Sequence, residues 1–290
     1  MSSILLVAGI VLLPIAAFAT VYGRRQHRKS TLIKDTETTD VRDIKEEGLV
    51  ELKGTVREDD TFDSPIKGEQ SVLSAWEVEE WNETGDSEMW ETRAEGIYAT
   101  PFGLDDETGY VRVEVGTHVK DASTGTGIDE IQIGPINFDR YLSNGVSVDN
   151  LLASLSSFSV ETTVRPDTEP PERIKNFVQG ESGVTTQTDS ITNIIDFGNA
   201  HGERRYYEGT LGPGDDIYLL GQVRASETAT HPLKPDDVVI TPPEDGQFII
   251  SDKPESELAD SFSTYKYAYA GALIAAVSGI AALAIGAGVV

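Results

Sequence analysis

The sequence predicts a mainly β protein, a small OB-like barrel or sandwich with decorations, flanked by N- and C-terminal transmembrane helices. Three observations predict it. Uncharged apolar runs lie near both ends of the 290 residues. Between them, short stretches alternate apolar and polar residues and are cut by Gly, Pro and Asp turns, the signature of strands rather than helices. Two of these stretches, VELKGTVRE and IYLLGQVRAS, share an apolar–x–Gly–x–Val phrase typical of curled barrel strands.

Residues 4–23 carry no charge and are long enough to cross a bilayer as a helix, with Pro14 tolerable inside it. Ala17-Phe18-Ala19 resembles a signal cleavage site, but signal sequences place positive charge before the apolar run, and here Arg24, Arg25, Arg28 and Lys29 follow it. The expectation is a retained anchor. By the positive-inside rule this cluster stays in the cytoplasm, which puts both termini outside and the intervening domain, residues 30–264, in the cytoplasm of a multi-pass cell-membrane protein.

The polar stretch 30–42 precedes the first strand at 48–58, where Leu49, Glu51, Lys53 and Thr55 share one face and Val50, Leu52 and Val56 the other. Gly54 inside it suggests a bulge or bend. Strands follow at 72–81 and 89–99 around a turn at Gly85, and at 104–115 around a turn at Asp106–Gly109. Residues 120–200 are less regular, a possible insertion or lobe. Further strands are expected at 202–211 and 217–226, separated by Gly212-Pro-Gly-Asp215, and a β pair over 238–251 across Pro-Pro-Glu-Asp-Gly. Arg173–Phe177 suggests a short helical turn and 254–262 a helix leading into the second span. That span, 267–290, opens with interfacial Tyr265, Tyr267 and Tyr269, and carries Gly271, Ala275 and Gly279 at four-residue spacing, a close-approach face through which homo-oligomers could form.

Charge excludes one function class. The chain has 23 basic and 49 acidic residues; setting aside the four cations at 24–29 leaves 19 against 49, a net of −30 over 30–266. Such a domain repels phosphate backbones, so nucleic-acid binding is not expected. The carboxylates are spread over nearly every loop, which fits solubility in a salt-rich interior, as in an extreme halophile, better than a dedicated metal site. With no cysteine there is no disulfide, thiolate nucleophile or Cys-based zinc site.

Few residues point to chemistry. His27, His118, His201 and His231 lack metal-ligand spacing and are expected in the juxtamembrane cluster and in exposed turns. Ser64 and Lys67 have the spacing of a Ser–Lys dyad, but Pro65 between them opposes the helix it needs. Asp121–Gln132 resembles a calcium loop in composition, yet lacks the glycine at its sixth position and the glutamate at its twelfth. No catalytic, cofactor or metal residue is assigned. The unusual cluster is Arg204-Arg205-Tyr206-Tyr207, which either grips a carboxylate or phosphate or pairs its arginines with nearby acids while its tyrosines fill the core. Trp76 and Trp81, an odd number apart, face opposite sides of a strand, and Trp81 is the one expected at a partner surface; Trp90 is a third aromatic of this kind.

These phrases have a counterpart. VELKGTV (50–56), Ser64-Pro65 before the Trp76–Trp81 strand, LDDETGYVRV (104–113), RRYYEGTLGPGDDIYLLGQV (204–223) and FIISDKPESEL (248–258) resemble, in this order, the GIDE/MULAN family of membrane E3 ubiquitin ligases, in a halophilic archaeal version. The resemblance implies a beside-a-membrane domain between two spans. In the ligases a RING domain binds zinc through Cys and His, whereas the present residues include no cysteine. The expectation is therefore a non-enzymatic scaffold or sensor that binds a protein or small ligand, with no cofactor. The alternative is a ligase-like component that recruits ubiquitin-like transfer machinery in trans.

Overall fold

A computed structural model describes residues 2–58, 60–84, 87–121, 132–133, 136–137, 145–181, 184, 199–226 and 229–288. In chain order its elements are α1 (Ser2–Asp35), β1 (Gly48–Arg57), β2 (Phe62–Asp63), β3 (Gln70–Ser71), β4 (Leu73–Thr84), β5 (Ser87–Ala99), β6 (Phe102–Asp105), β7 (Tyr110–Val113) and β8 (His118–Asp121). They continue with β9 (Gln132–Ile133), β10 (Ile136–Asn137), β11 (Gly145–Val148), β12 (Leu151–Ser154), β13 (Ser159–Val164), α2 (Glu172–Gly180), β14 (Arg204–Leu211) and β15 (Asp216–Ala225). Last come β16 (Val238–Thr241), β17 (Phe248–Ser251), α3 (Glu255–Ser261) and α4 (Tyr265–Gly286). Two compact units result, one of Met1–Thr36 with Glu255–Val290 and one of Glu37–Pro254.

In the helical unit, the α1 segment and the α3–α4 run are each long and apolar enough to cross a membrane. Only 11% of each apolar window is buried, which separates them from the core helices of a soluble protein. Small residues decide how α1 and α4 pack. Gly9, Ala16, Gly23 and Ser30 recur every seven residues on the buried face of α1, and Ala272, Gly279 and Gly286 do so on α4. A seven-residue seam lets two backbones stay close over many turns. A side chain at Gly9 would place its Cβ 2.5 Å from Leu283 and 2.8 Å from the Gly279 carbonyl oxygen, and one at Gly23 would come 3.4 Å from the Ala268 Cβ. The four-residue spacing read from the sequence does not form one face: Ala275 and Gly279 are buried, Gly279 against Leu12 and Leu13 of α1, while Gly271 is exposed with open space beside it. Since the chain has no native cysteine, a Gly23→Cys/Ala268→Cys pair should oxidise readily to an intramolecular disulfide. Adding Gly9→Leu, which wedges the seam, should slow that cross-linking several-fold; an unchanged rate would mean the contact does not hold the pair.

The second unit is built on a closed five-stranded barrel. β1 pairs antiparallel with β15 and with β6, β6 with β7, β7 runs parallel to β16, and β16 pairs back to β15. This is the OB-like barrel expected, and the two glycine-containing phrases are its directly paired strands β1 and β15. Gly54 marks no bulge. It sits where β1 passes from β15 to β6, and a Cβ there would lie 2.5 Å from the Asp105 carbonyl oxygen, so the closure requires a bare backbone. Leu52, Val56, Phe102, Leu104, Val111, Leu219 and Ile240 fill the interior. The stretch 238–251 is no hairpin. β16 and β17 lie end to end along one edge of β15, β16 opposite 222–225 and β17 opposite 218–220. Pro242 and Pro243 remove two consecutive N–H donors, so the strand cannot continue through them.

A second sheet, in the order β13-β14-β4-β5-β8, stacks on the barrel. Its Leu73, Ala75, Ile97 and Leu211 join the barrel core. Its other face, with Trp76, Val78, Ala94 and Tyr206, packs against Ile174 and Phe177 of α2, the Trp76 and Phe177 rings meeting edge-on at 4.9 Å. The helical turn expected at 173–177 is thus a nine-residue helix with two core anchors. Much of the expected 120–200 lobe, including the loop between Asp121 and Gln132, lies outside the described residues, as does the Gly85 turn. The described parts join both sheets, β12 pairing with β17 and β13 with β14.

The stretch expected to be merely polar is strapped to the barrel from Thr38 onward. The Thr39 N–H donates to the Glu51 carbonyl at 2.8 Å, and buried Glu51 accepts from Thr38 Oγ1 (2.6 Å) and Tyr218 OH (2.9 Å). The Asp106 carboxylate accepts the Val41 N–H at 2.6 Å and also holds Thr108 and Gly109, which seats Val41 and Ile44 in the core. Burial pushes the Asp106 carboxyl up, but these hydrogen bonds outweigh it and hold its pKa below the ordinary value. A carboxyl with a depressed folded pKa stabilises fully above its unfolded value, about 3.9, and that contribution is lost as pH falls through the folded pKa. Asp106→Ala should therefore lower stability by about 1–2 kcal/mol at pH 7 and by progressively less in acid. A pH-independent difference in denaturation midpoint would sink this account.

Candidate functional site

Strand periodicity sorts the Arg204–Tyr207 cluster onto two faces of β14. Arg204 and Tyr206 point to the α2 side and are buried at 2% exposure each. Arg204 Nε reaches Glu80 Oε2 at 2.7 Å, and Arg93 Nη2 reaches the other oxygen of the same carboxylate at 2.9 Å. Tyr206 stands edge-on to Phe177 at 6.5 Å. Burial pushes its phenol up, partly opposed by Arg204, so it stays protonated. Tyr98, beside Trp76, is likewise raised by burial and by Glu181, to which its hydroxyl donates.

Arg205 and Tyr207 occupy the opposite face. Tyr207 stacks on Phe158 at 5.9 Å and donates its hydroxyl to Glu79 at 2.8 Å. The guanidinium of Arg205 lies over the Trp90 ring, 3.9 Å from its centre, and Trp90 sits directly across the hairpin from Trp81 with ring centres 5.3 Å apart. Trp81 Nε1 donates to Glu83 at 2.9 Å. All three side chains are half-buried, whereas Trp76 on the other face is fully buried, as the odd spacing requires. Trp81 and Trp90 are equidistant from Gly85-Asp86, a hairpin symmetry visible in the sequence but unused there.

Ser64 and Lys67 do not form a dyad. Both organise a loop around the fully buried carboxylate of Glu208, which accepts from Ser64 Oγ at 3.1 Å, from the backbone N–H groups of Ile66 and Lys67, and from Ser74 Oγ at 2.7 Å. Ser64 Oγ in turn accepts the N–H groups of Gly68 and Glu69, both at 3.0 Å. The Lys67 ammonium turns away to the Ser157 carbonyl and to Glu161 at 3.2 Å. Gly68 is bound to this place by a φ of +80° and by the Arg173 guanidinium lying over it. Glu208 was missed in the sequence, although period two places it on the inward face with Arg204 and Tyr206.

His118 is not in a turn: it lies in β8, half-buried, with Nε2 2.9 Å from the Val115 carbonyl. His201 Nδ1 accepts the Glu83 N–H at 3.1 Å, and His231 is exposed. Glu77, Glu79 and Glu95 are buried on the barrel-side face of the second sheet, Glu77 accepting from Thr92 at 2.7 Å. Among the described residues no group of three or more His, Asp or Glu side chains is arranged to hold a metal ion.

Residues 159–286, from the start of β13 to the end of α4, match the family model GIDE, described as E3 Ubiquitin ligase. The match marks a GIDE domain over that segment, under half of the chain. Together with the two helices long and apolar enough to cross a membrane, this match supports a membrane protein with a GIDE domain. Comparison with curated proteins and with solved structures finds no match. The GIDE stretch contains α2, β14 and β15, so it includes Arg204, Arg205 and Glu208, while Trp81 and Trp90 come from the hairpin that pairs with it.

Proposed function

We propose that the GIDE domain is a non-enzymatic scaffold or sensor that binds a protein beside the bilayer, and that Trp81, Trp90 and Arg205 form its contact surface. The observation that carries this reading is the half-buried stack of a guanidinium on paired indoles. Trp and Arg dominate binding hot spots, and an arginine held flat on a ring keeps its edge donors for a carboxylate. The residues that first suggested chemistry are committed elsewhere: Ser64 and Lys67 to the Glu208 loop, and Arg204 to Glu80. The positive cluster after α1's apolar run supports a cytoplasmic domain with both termini outside; cleavage of the domain by protease added to intact cells would count against that orientation.

The test is affinity capture of tagged full-length protein from native membranes at high salt, wild type beside Trp81→Ala/Arg205→Ala. The expected result is a partner recovered by the wild type and depleted at least tenfold in the variant, at equal stability, by mass spectrometry. Equal recovery by both defeats the contact surface, and hydrolase or transferase turnover that depends on Ser64 or Lys67 defeats the scaffold. The family description favours a second reading, a ligase-like component acting through partners in trans. Recovery of a ubiquitin-like protein or its conjugating enzyme supports that reading.

A further inference from the structure

The apolar run of α1 ends at Gly23, but the helix continues for twelve residues to Asp35. At 100° per residue this extension has two sides. Gly23, Gln26 and Ser30 are buried, while Arg24, His27 and Arg28 share the exposed side. Arg24 and Arg28 are one turn apart, and among the described residues neither forms an ion pair, in a chain with 49 acidic groups against 23 basic ones. The first turn of α4 adds to the same patch. The Tyr265 ring lies 4.5 Å from that of His27, and Lys266 Nζ stands 5.8 Å from the Tyr265 ring centre. That turn contains no acid, and Tyr267 beside it is 80% exposed. Cations and tyrosines are thus collected at the depth where an apolar span gives way to headgroups, and among the described residues no carboxylate pairs with Arg24 or Arg28.

We propose that Arg24, Arg28 and Lys266, framed by Tyr265 and Tyr267, bind the phosphate of an anionic membrane lipid. Two guanidinium groups a helical turn apart can take a phosphodiester between them through paired N–H donors, and the tyrosine rings lie against the glycerol and upper acyl region. Salt screens such a contact less than an exposed surface pair, because the bilayer excludes water from one side.

The experiment places full-length protein in bilayer nanodiscs of phosphatidylcholine with a minor fraction of phosphatidylglycerol, and counts lipids retained on the protein by native mass spectrometry. The wild type should hold phosphatidylglycerol well above its bulk share. Arg24→Gln/Arg28→Gln should lower that enrichment by about 5-fold for each arginine removed, and Lys34→Gln should leave it unchanged. The charge-preserving Arg24→Lys/Arg28→Lys pair, whose folding is checked beside the glutamine pair by circular dichroism, should keep most of it. Undiminished enrichment in the glutamine pair, or equal loss in Lys34→Gln or in the lysine pair, overturns the site. Displacement of the lipid by millimolar inorganic phosphate overturns it too, since the patch would then select a free anion rather than a headgroup.

Discussion

Glu208→Ala is expected to destabilise the β unit by roughly 3–5 kcal/mol. The carboxylate is fully buried and gathers two hydroxyls and two backbone N–H groups, all directed inward from the 64–74 stretch. Removing it leaves those donors in a dry site with no acceptor, and each orphaned group costs its desolvation rather than the modest net worth of a hydrogen bond. The loop from Ser64 to Glu69 should loosen first, because Ser64 also holds the N–H groups of Gly68 and Glu69. Glu208→Gln should cost about half as much: its oxygen still accepts, but its amide N–H₂ now faces donors. Chemical denaturation of the full-length protein, with limited proteolysis of the 64–69 loop, checks this. A variant within about 1 kcal/mol of wild type would show that the loop is held by packing and not by Glu208.

The same residue shows where sequence reading succeeds and where it stops. Alternation in VELKGTVRE and IYLLGQVRAS was enough to place two barrel strands, because Leu52, Val56, Leu219 and Val223 face a single core. Period two equally separates Trp76 from Trp81. It does not tell which charged side chains find buried partners. Glu51, Glu77, Glu95 and Glu208 do not stand out in a chain with so many acids, yet each is almost fully buried, and the partners of Glu51 and Glu208 come from distant segments, Thr38 and Tyr218 for one and Ser64 and Ser74 for the other. The order in which β16 and β17 share one edge of β15 is also non-local, and the Pro-Pro step signalled only that the strand must break. In the helical unit the four-residue spacing of small residues on one helix looked like a face for a second copy. The seven-residue spacing, present on both helices, pairs them with each other.

Arg204→Ala and Arg205→Ala, neighbours in sequence, are expected to behave as opposites. Arg204 is a buried cation whose guanidinium, together with that of Arg93, neutralises Glu80. Truncating it leaves a carboxylate, itself about nine-tenths buried, with one partner instead of two, at a cost of roughly 2–4 kcal/mol. The double variant Arg204→Met/Glu80→Gln removes the charge along with its partner and should recover a large part of that loss, because a buried ion pair is weak evidence for net stability while half of one is strongly unfavourable. Arg205 is held mainly by the face of Trp90 at the surface, and Arg205→Ala should cost no more than about 1 kcal/mol. If Trp81, Trp90 and Arg205 are the contact surface, that nearly neutral change is the one that depletes the captured partner, while the double variant at Arg204, once stable, still recovers it. The reverse result, with partner recovery following Arg204 at restored stability, would move the interaction to the α2 side of the sheet and remove the stacked arginine from the site.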